Sequence, residues 1–521
     1  MSTPTRPAKH PQGTRARTTR TTQPDVPVQS SFTADTGETV SIVHIVSELA
    51  PYARTGGLGE AVATLARFQS QAGLNVSIIV PLYREIVAKR VAMSPFGEPF
   101  TIPIGNRVEQ AQVHEALLPG RGPSPRVFFV ANAEYFDRDG LYGTASGDFP
   151  DNARRYALFC LAALRLMPRI AKGPVILHAH DWHTALAPVY LRSWFRGHEY
   201  YRDVATVLSV HNAGFQGHFP TPTMADLGLP WEMYNLHEME WYGRVNLLKG
   251  GMACADMVTT VSPSHAEELR TPGGGFGLHD AFRSLGDRFV GITNGIDVQT
   301  WNPVTDKDIA AKYSLDDLSG KAKCKASLQR LFSLPVKPRT PLFGMSSRMV
   351  YQKGLDLILG SGFLTLDAQF VFLGAGEARY EQALGALARS HRDRIGVQTN
   401  FTDRLEHKVL AGADLCLMPS MYEPCGLTQM RAQRYGTLPL ARRVGGLADT
   451  IDDGVTGFLF EGYTSDAFLD GAVRAIRTYS DDVRWAAMQR EAMTRDFGWE
   501  RPERHYERLY RRALNRMVIS D

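Results

Sequence analysis

From Val40 onward the chain alternates short, β-branched apolar runs with segments whose apolar residues recur at helical spacing, and it does so in two successive series. Ser-Ile-Val-His-Ile-Val-Ser opens the first series, followed by a Gly-rich loop and the amphipathic stretch LGEAVATLARFQSQAG. Buried-strand candidates follow at Val76 to Val80, Val127 to Val130, Val175 to His178, Val204 to Val210 and Met257 to Val261. The second series runs through Phe289 to Thr293, Leu342 to Ser346, Gln369 to Leu373, Ile395 to Val397, Asp414 to Met418 and Leu438 to Ala441. Strands apolar on both faces and separated by amphipathic helices predict parallel sheets covered by helices, so the chain is an α/β protein with two doubly wound domains.

At 521 residues and 44% hydrophobic content the length suits two or three domains of ordinary size, two being the default. The stretch from Glu267 to Gly286, with Pro272 and the run Gly273 to Gly275, lacks a period and predicts the hinge near residue 270. Residues 1–38, rich in Thr, Arg, Pro and Gln, predict a disordered tail. The expected domains are then 39–270 and 271–495. A helical, Arg-rich segment over 496–521 either completes the second domain or packs back across the first.

Several function classes are excluded. The net charge of +4 is spread thinly, which argues against nucleic acid as partner. No run of about 18 apolar residues predicts a membrane span, and the start lacks a secretory h-region. Five separated cysteines without a C-x-x-C pair fit a reducing cytoplasm and neither zinc nor disulfides. His178, His180, Asp181 and His183 sit on a strand end and turn without helical ligand spacing, so no metal and no cofactor is expected there.

Ligands of open parallel sheets bind beyond the carboxyl ends of strands, which singles out four loops. Arg54 with Gly56 and Gly57 follows the first strand and precedes a helix, an arrangement suited to a pyrophosphate. Asp181 and His211-Asn212 follow two further strands. Arg348 and Lys353 offer a donor fork and a point charge to a diphosphate, or are solvated loop charges. Glu423 through Thr428 forms a strand-to-helix turn with a carboxylate at its start. The echo of Gly56-Gly57-Leu58 in Gly445-Gly446-Leu447 suits two backbone anion sites facing one cleft, or is two unrelated turns.

In order along the chain, RTGGLGE, HAHDWH, HNAGFQGHF, NGID, SRMVYQKGLDL, LGAGE, EPCGLTQ and YGTLPLARRVGGLADT closely resemble the bacterial glycogen synthase and plant starch synthase family, over about residues 40–515. The resemblance implies a glycosyltransferase-B fold, ADP-glucose as donor, an α-1,4-glucan or maltooligosaccharide as acceptor, no metal, and retention of anomeric configuration. It makes Glu423 the carboxylate near the donor glucose, His211 a contact to that sugar, and Asp181 a further acid of the hexose pocket. Arg348 and Lys353 would neutralise the leaving diphosphate, with Asn294 beside them. Cys425, Gly426, Leu427 and Thr428 would supply backbone contacts. Gly374, Gly376 and Phe401 would border the base, Phe401 by stacking. Cys425, on a helix-start turn, is expected to be the most reactive thiol. Arg54 replaces the Lys usual in the family, Gly59-Glu60 the common Ala-Asp, and Arg431 stands where related transferases carry a second glutamate. Two other readings share these motifs: a transferase acting on a small sugar, and a catalytically silent glucan-binding protein.

Overall fold

The computed structural model describes residues 32–34, 37–144 and 146–519. The first of two large sheets has the strand order Phe289–Gly291, Met257–Thr260, Val204–Val210, Val175–His180, Ser41–Ile45, Asn75–Pro81, Arg126–Ala131, Arg107–Leu117, Ser94–Pro95, with Phe100–Ile104 added beside Arg107–Leu117. Its first seven members are parallel, and the last three form an antiparallel edge that the apolar-run reading missed. The second sheet is parallel throughout, in the order Ile395–Gln398, Gln369–Leu373, Leu342–Ser346, Leu415–Met418, Leu438–Arg442, Phe458–Phe460.

The central strands are buried on both faces, Ser41–Ile45 and Val175–His180 over their whole length, which is why they read as unbroken apolar runs. Each fully buried Val, Ile, Leu or Phe there contributes about 1.5–3 kcal/mol relative to exposure. A buried ion pair ties the second sheet together: Lys325 Nζ lies 2.6 Å from Asp414 Oδ2, and the same carboxylate accepts from the Leu342 backbone N–H at 2.8 Å.

Both sheets reverse their winding direction near the middle. In the first sheet, Ser41–Ile45 has the early strands on one side and the later ones, beginning with Val175–His180, on the other. In the second, Leu342–Ser346 lies between Gln369–Leu373 and Leu415–Met418 in the same way. At such a switch point adjacent loops leave in opposite directions and open a crevice. The loops that open these two crevices carry Arg54 and Asp181 in the first domain, and Arg348, Lys353 and Glu423 in the second.

Three expectations change. The strand expected to open the second series, Phe289 to Thr293, pairs as Phe289–Gly291 with Met257–Thr260 and so ends the first sheet. The hinge expected near 270 therefore falls inside the first domain, where Gly274 and Gly275 make room for the backbone of Glu268 and Leu269; a Cβ at these glycines would lie 2.4 Å and 2.6 Å from those carbonyl oxygens. Pairing partners are set in space, and an apolar run carries no mark of which sheet it joins. Most of the expected tail lies outside the described residues, but Phe32 is buried at 3% exposure against Tyr510, and its carbonyl accepts from Val40 N. The folded unit thus begins before residue 38. The helix Glu500–Ile519 lies against strands Val204–Val210, Met257–Thr260 and Val175–His180 of the first sheet.

Candidate active site

The loop after Ser41–Ile45 is organised by one carboxylate. Glu48, buried at 4% exposure, accepts hydrogen bonds from Thr55 N (2.7 Å), Thr55 Oγ1 (2.6 Å), Gly56 N (3.3 Å) and Tyr142 Oη (2.7 Å). The Gly-rich turn is thereby held in shape, and the N–H groups of Thr55 and Gly56 point at Glu48. Gly59 packs on the backbone of Glu48 and Leu49, where a Cβ would sit 3.1 Å from three atoms. Arg54 pairs with Glu60 at 3.4 Å and, from across the cleft, with Asp403.

Asp181 follows the strand Val175–His180 with a left-handed backbone (φ 59°), and its Oδ1 accepts from the N–H groups of His211 (2.6 Å) and Asn212 (3.3 Å). The carboxylate thus fixes the neighbouring loop. Burial is the largest influence on it and raises its pKa to about 7 against those two hydrogen bonds. Behind it stand His44, His178 and His180, which each bring one ring nitrogen within 4.8 Å of the others, a spacing compatible with a metal ion. All six of their ring nitrogens are engaged instead. His44 meets His180 and Gln69, His178 meets Tyr510 and Ser209, and His180 meets His44 and His211, at 2.6–3.0 Å. Burial lowers the pKa of His44 to about 4 and of His211 to about 3, and holds His178 and His180 well below the usual histidine range, so these four histidines are neutral.

The opposite wall is charged. Lys353 Nζ lies 2.7 Å from Glu423 Oε2, which also accepts from Ser420 Oγ at 2.9 Å. Gly354 lets the loop pass over the preceding strand: its φ is +74°, and a Cβ would meet the Pro419 oxygen at 2.0 Å. Arg348 is exposed into the cleft with no ion-pair partner among the described residues. Gly445 and Gly446 press on the Glu423–Cys425 turn, where Cβ atoms would lie 2.1 Å from the oxygens of Glu423 and Cys425. Gly446 N donates to Glu423 O and Pro424 O, and Gly445 N donates to Glu268 Oε1 of the first domain. The second Gly-Gly-Leu is therefore a brace behind the carboxylate loop, and the idea of two matching anion cradles does not hold.

The two walls enclose a cleft of about 830 Å³. Every binding or catalytic candidate named from the sequence lines it except Gly376, which is turned away: its N–H is taken by Glu381 at 2.7 Å and a Cβ would strike the Met349 carbonyl at 2.3 Å. Gly374 and Phe401 remain, Phe401 with 43% of its surface exposed. The expectation of a reactive Cys425 fails, because the thiol is 5% exposed and burial pushes its pKa up to about 12. Its neighbour Asn294 is buried with Oδ1 unpartnered.

Glu48, Tyr142, Glu60, Glu406 and Arg431 also line the cleft and were not chosen from the sequence as site residues. Glu48 could have been suspected, as a charge placed three residues beyond a fully buried strand. Arg431 could not: it is buried between Glu60 of the first domain and Glu406 of the second, with its guanidinium 4.3 Å from the Trp301 ring, and the positions are remote in sequence.

Residues 41–284 match the family described as the starch synthase catalytic domain, and residues 330–491 match glycosyl transferases group 1. A glycogen synthase 2 of Geobacter sulfurreducens is 40% identical over 484 residues, covering 91% of this chain and 99% of that protein. A glycogen synthase of Myxococcus xanthus is 40% identical over 486 residues, covering 90% and 99%. The chain belongs to the glycogen synthase family. The catalytic domain of starch synthase IV from Arabidopsis thaliana, solved bound to ADP and acarbose, superposes with a TM-score of 0.84 at 31% identity over 91% of this chain and 99% of that one. A sucrose-phosphate synthase of Thermosynechococcus elongatus, at 17% identity and a TM-score of 0.59, shares the fold. As a member of the glycogen synthase family, the chain is a glucosyltransferase of glycogen synthesis with the glycosyltransferase-B fold, using a nucleotide sugar and a glucan. Among the described residues no helix is long and apolar enough to cross a membrane.

Proposed function

We propose that this glycogen synthase takes glucose from ADP-glucose, adds it to the non-reducing end of an α-1,4-glucan with retention of configuration, and works in the cytoplasm. The observation that carries the reading is the pairing of two switch-point loops across one cleft: cations and Glu423 on one side, a neutral wall of His211 and Asn212 on the other. Arg348 and Lys353 stabilise the charge that grows on the departing diphosphate. The diphosphate leaves on the face from which the acceptor enters, and its oxygen takes the acceptor proton. Glu423 holds the glucose through its oxocarbenium-like state, and His211 contacts the same sugar without adding positive charge beside it. Asn294, with its free buried carbonyl oxygen, is a polar contact for donor or acceptor. Phe401 stacks on the base. ADP as the nucleotide draws support from the likeness to a starch synthase solved with ADP and acarbose.

Purified protein given ADP-glucose or UDP-glucose, each labelled in glucose, together with glycogen, tests the reading. Label enters polymer, with ADP-glucose the better donor by kcat/KM. Transfer to a small sugar alone, or a preference for UDP-glucose, would overturn it.

A further inference from the structure

The buried histidines behind the cleft form a continuous hydrogen-bonded chain that begins on a helix and ends at the active-site loop. Gln69, on the helix Leu58–Gln71, places Oε1 2.9 Å from His44 Nε2. His44 Nδ1 lies 3.0 Å from His180 Nε2, and His180 Nδ1 lies 3.0 Å from His211 Nε2. On its other side Gln69 Nε2 donates to Tyr510 Oη at 3.2 Å, and that hydroxyl meets His178 Nδ1 at 2.9 Å. His178 Nε2 in turn lies 2.6 Å from Ser209 Oγ. Gln69, His44, His178 and Ser209 have no exposed surface and His180 only 1%, so water cannot repair a mismatch.

A neutral imidazole has one donor nitrogen and one acceptor, so each link dictates the next. A carbonyl oxygen at Gln69 makes His44 donate from Nε2 and accept at Nδ1. His180 must then donate from Nε2, and His211 must donate from Nε2 to His180 Nδ1. The lone pair of His211 is left on Nδ1. On the other branch Tyr510 accepts from Gln69 and donates to His178 Nδ1, and His178 donates from Nε2 to Ser209. Turning the Gln69 amide over reverses every one of these bonds together and leaves a proton on His211 Nδ1. Only two neutral arrangements are therefore complete, and the amide selects between them.

We propose that Gln69 is a positioning residue: through His44 and His180 it keeps the proton of His211 on Nε2, with Tyr510 of the C-terminal helix engaging the other end of the amide. His211 then offers its Nδ1 to the cleft as an acceptor, the form able to receive a sugar hydroxyl. This last step rests on the reading of His211 as a contact to the donor glucose; the proton arrangement does not. The tautomer of a first-domain residue thereby depends on a helix that follows the second domain in the chain.

Ring-nitrogen NMR of the full-length protein, labelled at histidine and with His211 assigned by difference against His211→Asn, separates the two forms. Wild type shows His211 protonated at Nε2. In Gln69→Leu the His211 signals move to a mixture of both forms, and kcat for transfer to glycogen falls about tenfold with KM for ADP-glucose within about twofold. Tyr510→Phe, which keeps the ring volume, shows the same change to a smaller degree and serves should the leucine variant fold poorly. A wild-type His211 protonated at Nδ1 overturns the proposal, as does a folded Gln69→Leu or Tyr510→Phe protein with an unchanged His211 pattern. If the proton moves as described and yet wild type transfers no glucose to glycogen, the relay stands and the functional reading of His211 falls.

Discussion

The two walls of the cleft are built on the same plan and finished in opposite ways. Each stands at the switch point of a parallel sheet. On the first-domain wall the key polar groups are held from behind: Glu48 takes three hydrogen bonds from its own loop, Asp181 takes two backbone N–H groups, and His44, His180 and His211 bond in a chain that starts at Gln69. On the second-domain wall charge stays in the cleft: Lys353 is paired with Glu423, and Arg348 has no ion-pair partner among the described residues. One wall is pre-organised to present fixed, neutral imidazole and amide groups to a sugar, and the other keeps charge available for a ligand that brings its own. Arg54 belongs to the first wall by sequence and to the second by chemistry, since it spans the cleft to Asp403.

Breaking the charged wall has the largest expected effect. Glu423→Ala lowers kcat by a hundredfold or more, roughly the scale of a lost transition-state contact, while circular dichroism shows the fold kept. Near-normal turnover would remove Glu423 from the mechanism. Lys353→Ala follows, with kcat/KM down about tenfold to a hundredfold, because the variant loses a diphosphate contact and leaves Glu423 buried without its cation. Kinetics equal to wild type would make Lys353 an ordinary loop charge.

The neutral wall should reveal itself through pH and not through phosphate. His44 and His211 have folded pKa values lowered by burial to about 4 and about 3, from an unfolded value of 6.5. The unfolded chain therefore binds more protons below 6.5, and stability that is full above that pH is lost as it falls toward 4. Asp181 opposes this: its folded pKa is raised from 3.8 to about 7, so its contribution is present in acid and lost as pH rises through 7. Asp181→Asn, which keeps the acceptor for His211 N and Asn212 N, steepens the loss of stability between pH 7 and 4, by at most about 1.4 kcal/mol per pH unit. Urea denaturation across that range checks it, and a slope unchanged by the substitution would contradict the assignment. Arg54→Lys has the smallest effect, a change within about threefold in kcat/KM that is equal for ADP-glucose and UDP-glucose, since lysine keeps the positive charge toward the diphosphate that the two donors share. A shift in the ratio of the two donors would give Arg54 a part in choosing the nucleotide.

The parallel strands of both sheets, Phe458–Phe460 apart, were legible because burial on two faces writes an unbroken apolar run, as in Ser41–Ile45 and Gln369–Leu373. Site residues were legible where they follow those runs directly, as Asp181, Arg348 and Glu423 do. What stayed hidden depends on pairing in space. Phe289–Gly291 could join either sheet, Gly376 differs from Gly374 only in which way the backbone turns, and the Glu60–Arg431 contact joins positions 371 residues apart. The histidine relay needed three neighbouring strands, the helix Leu58–Gln71 and the C-terminal helix together, so His44, Gln69 and Tyr510 carried no signal in sequence.

The contrast between the walls is tested most directly by calorimetric titration of ADP into wild type, Lys353→Ala and Asp181→Asn protein at one ionic strength. The account predicts binding weakened about tenfold or more in Lys353→Ala and within about twofold of wild type in Asp181→Asn. Equal losses in both variants, or none in Lys353→Ala, would contradict the division of the cleft into a charged wall for the diphosphate and a neutral wall for the sugar.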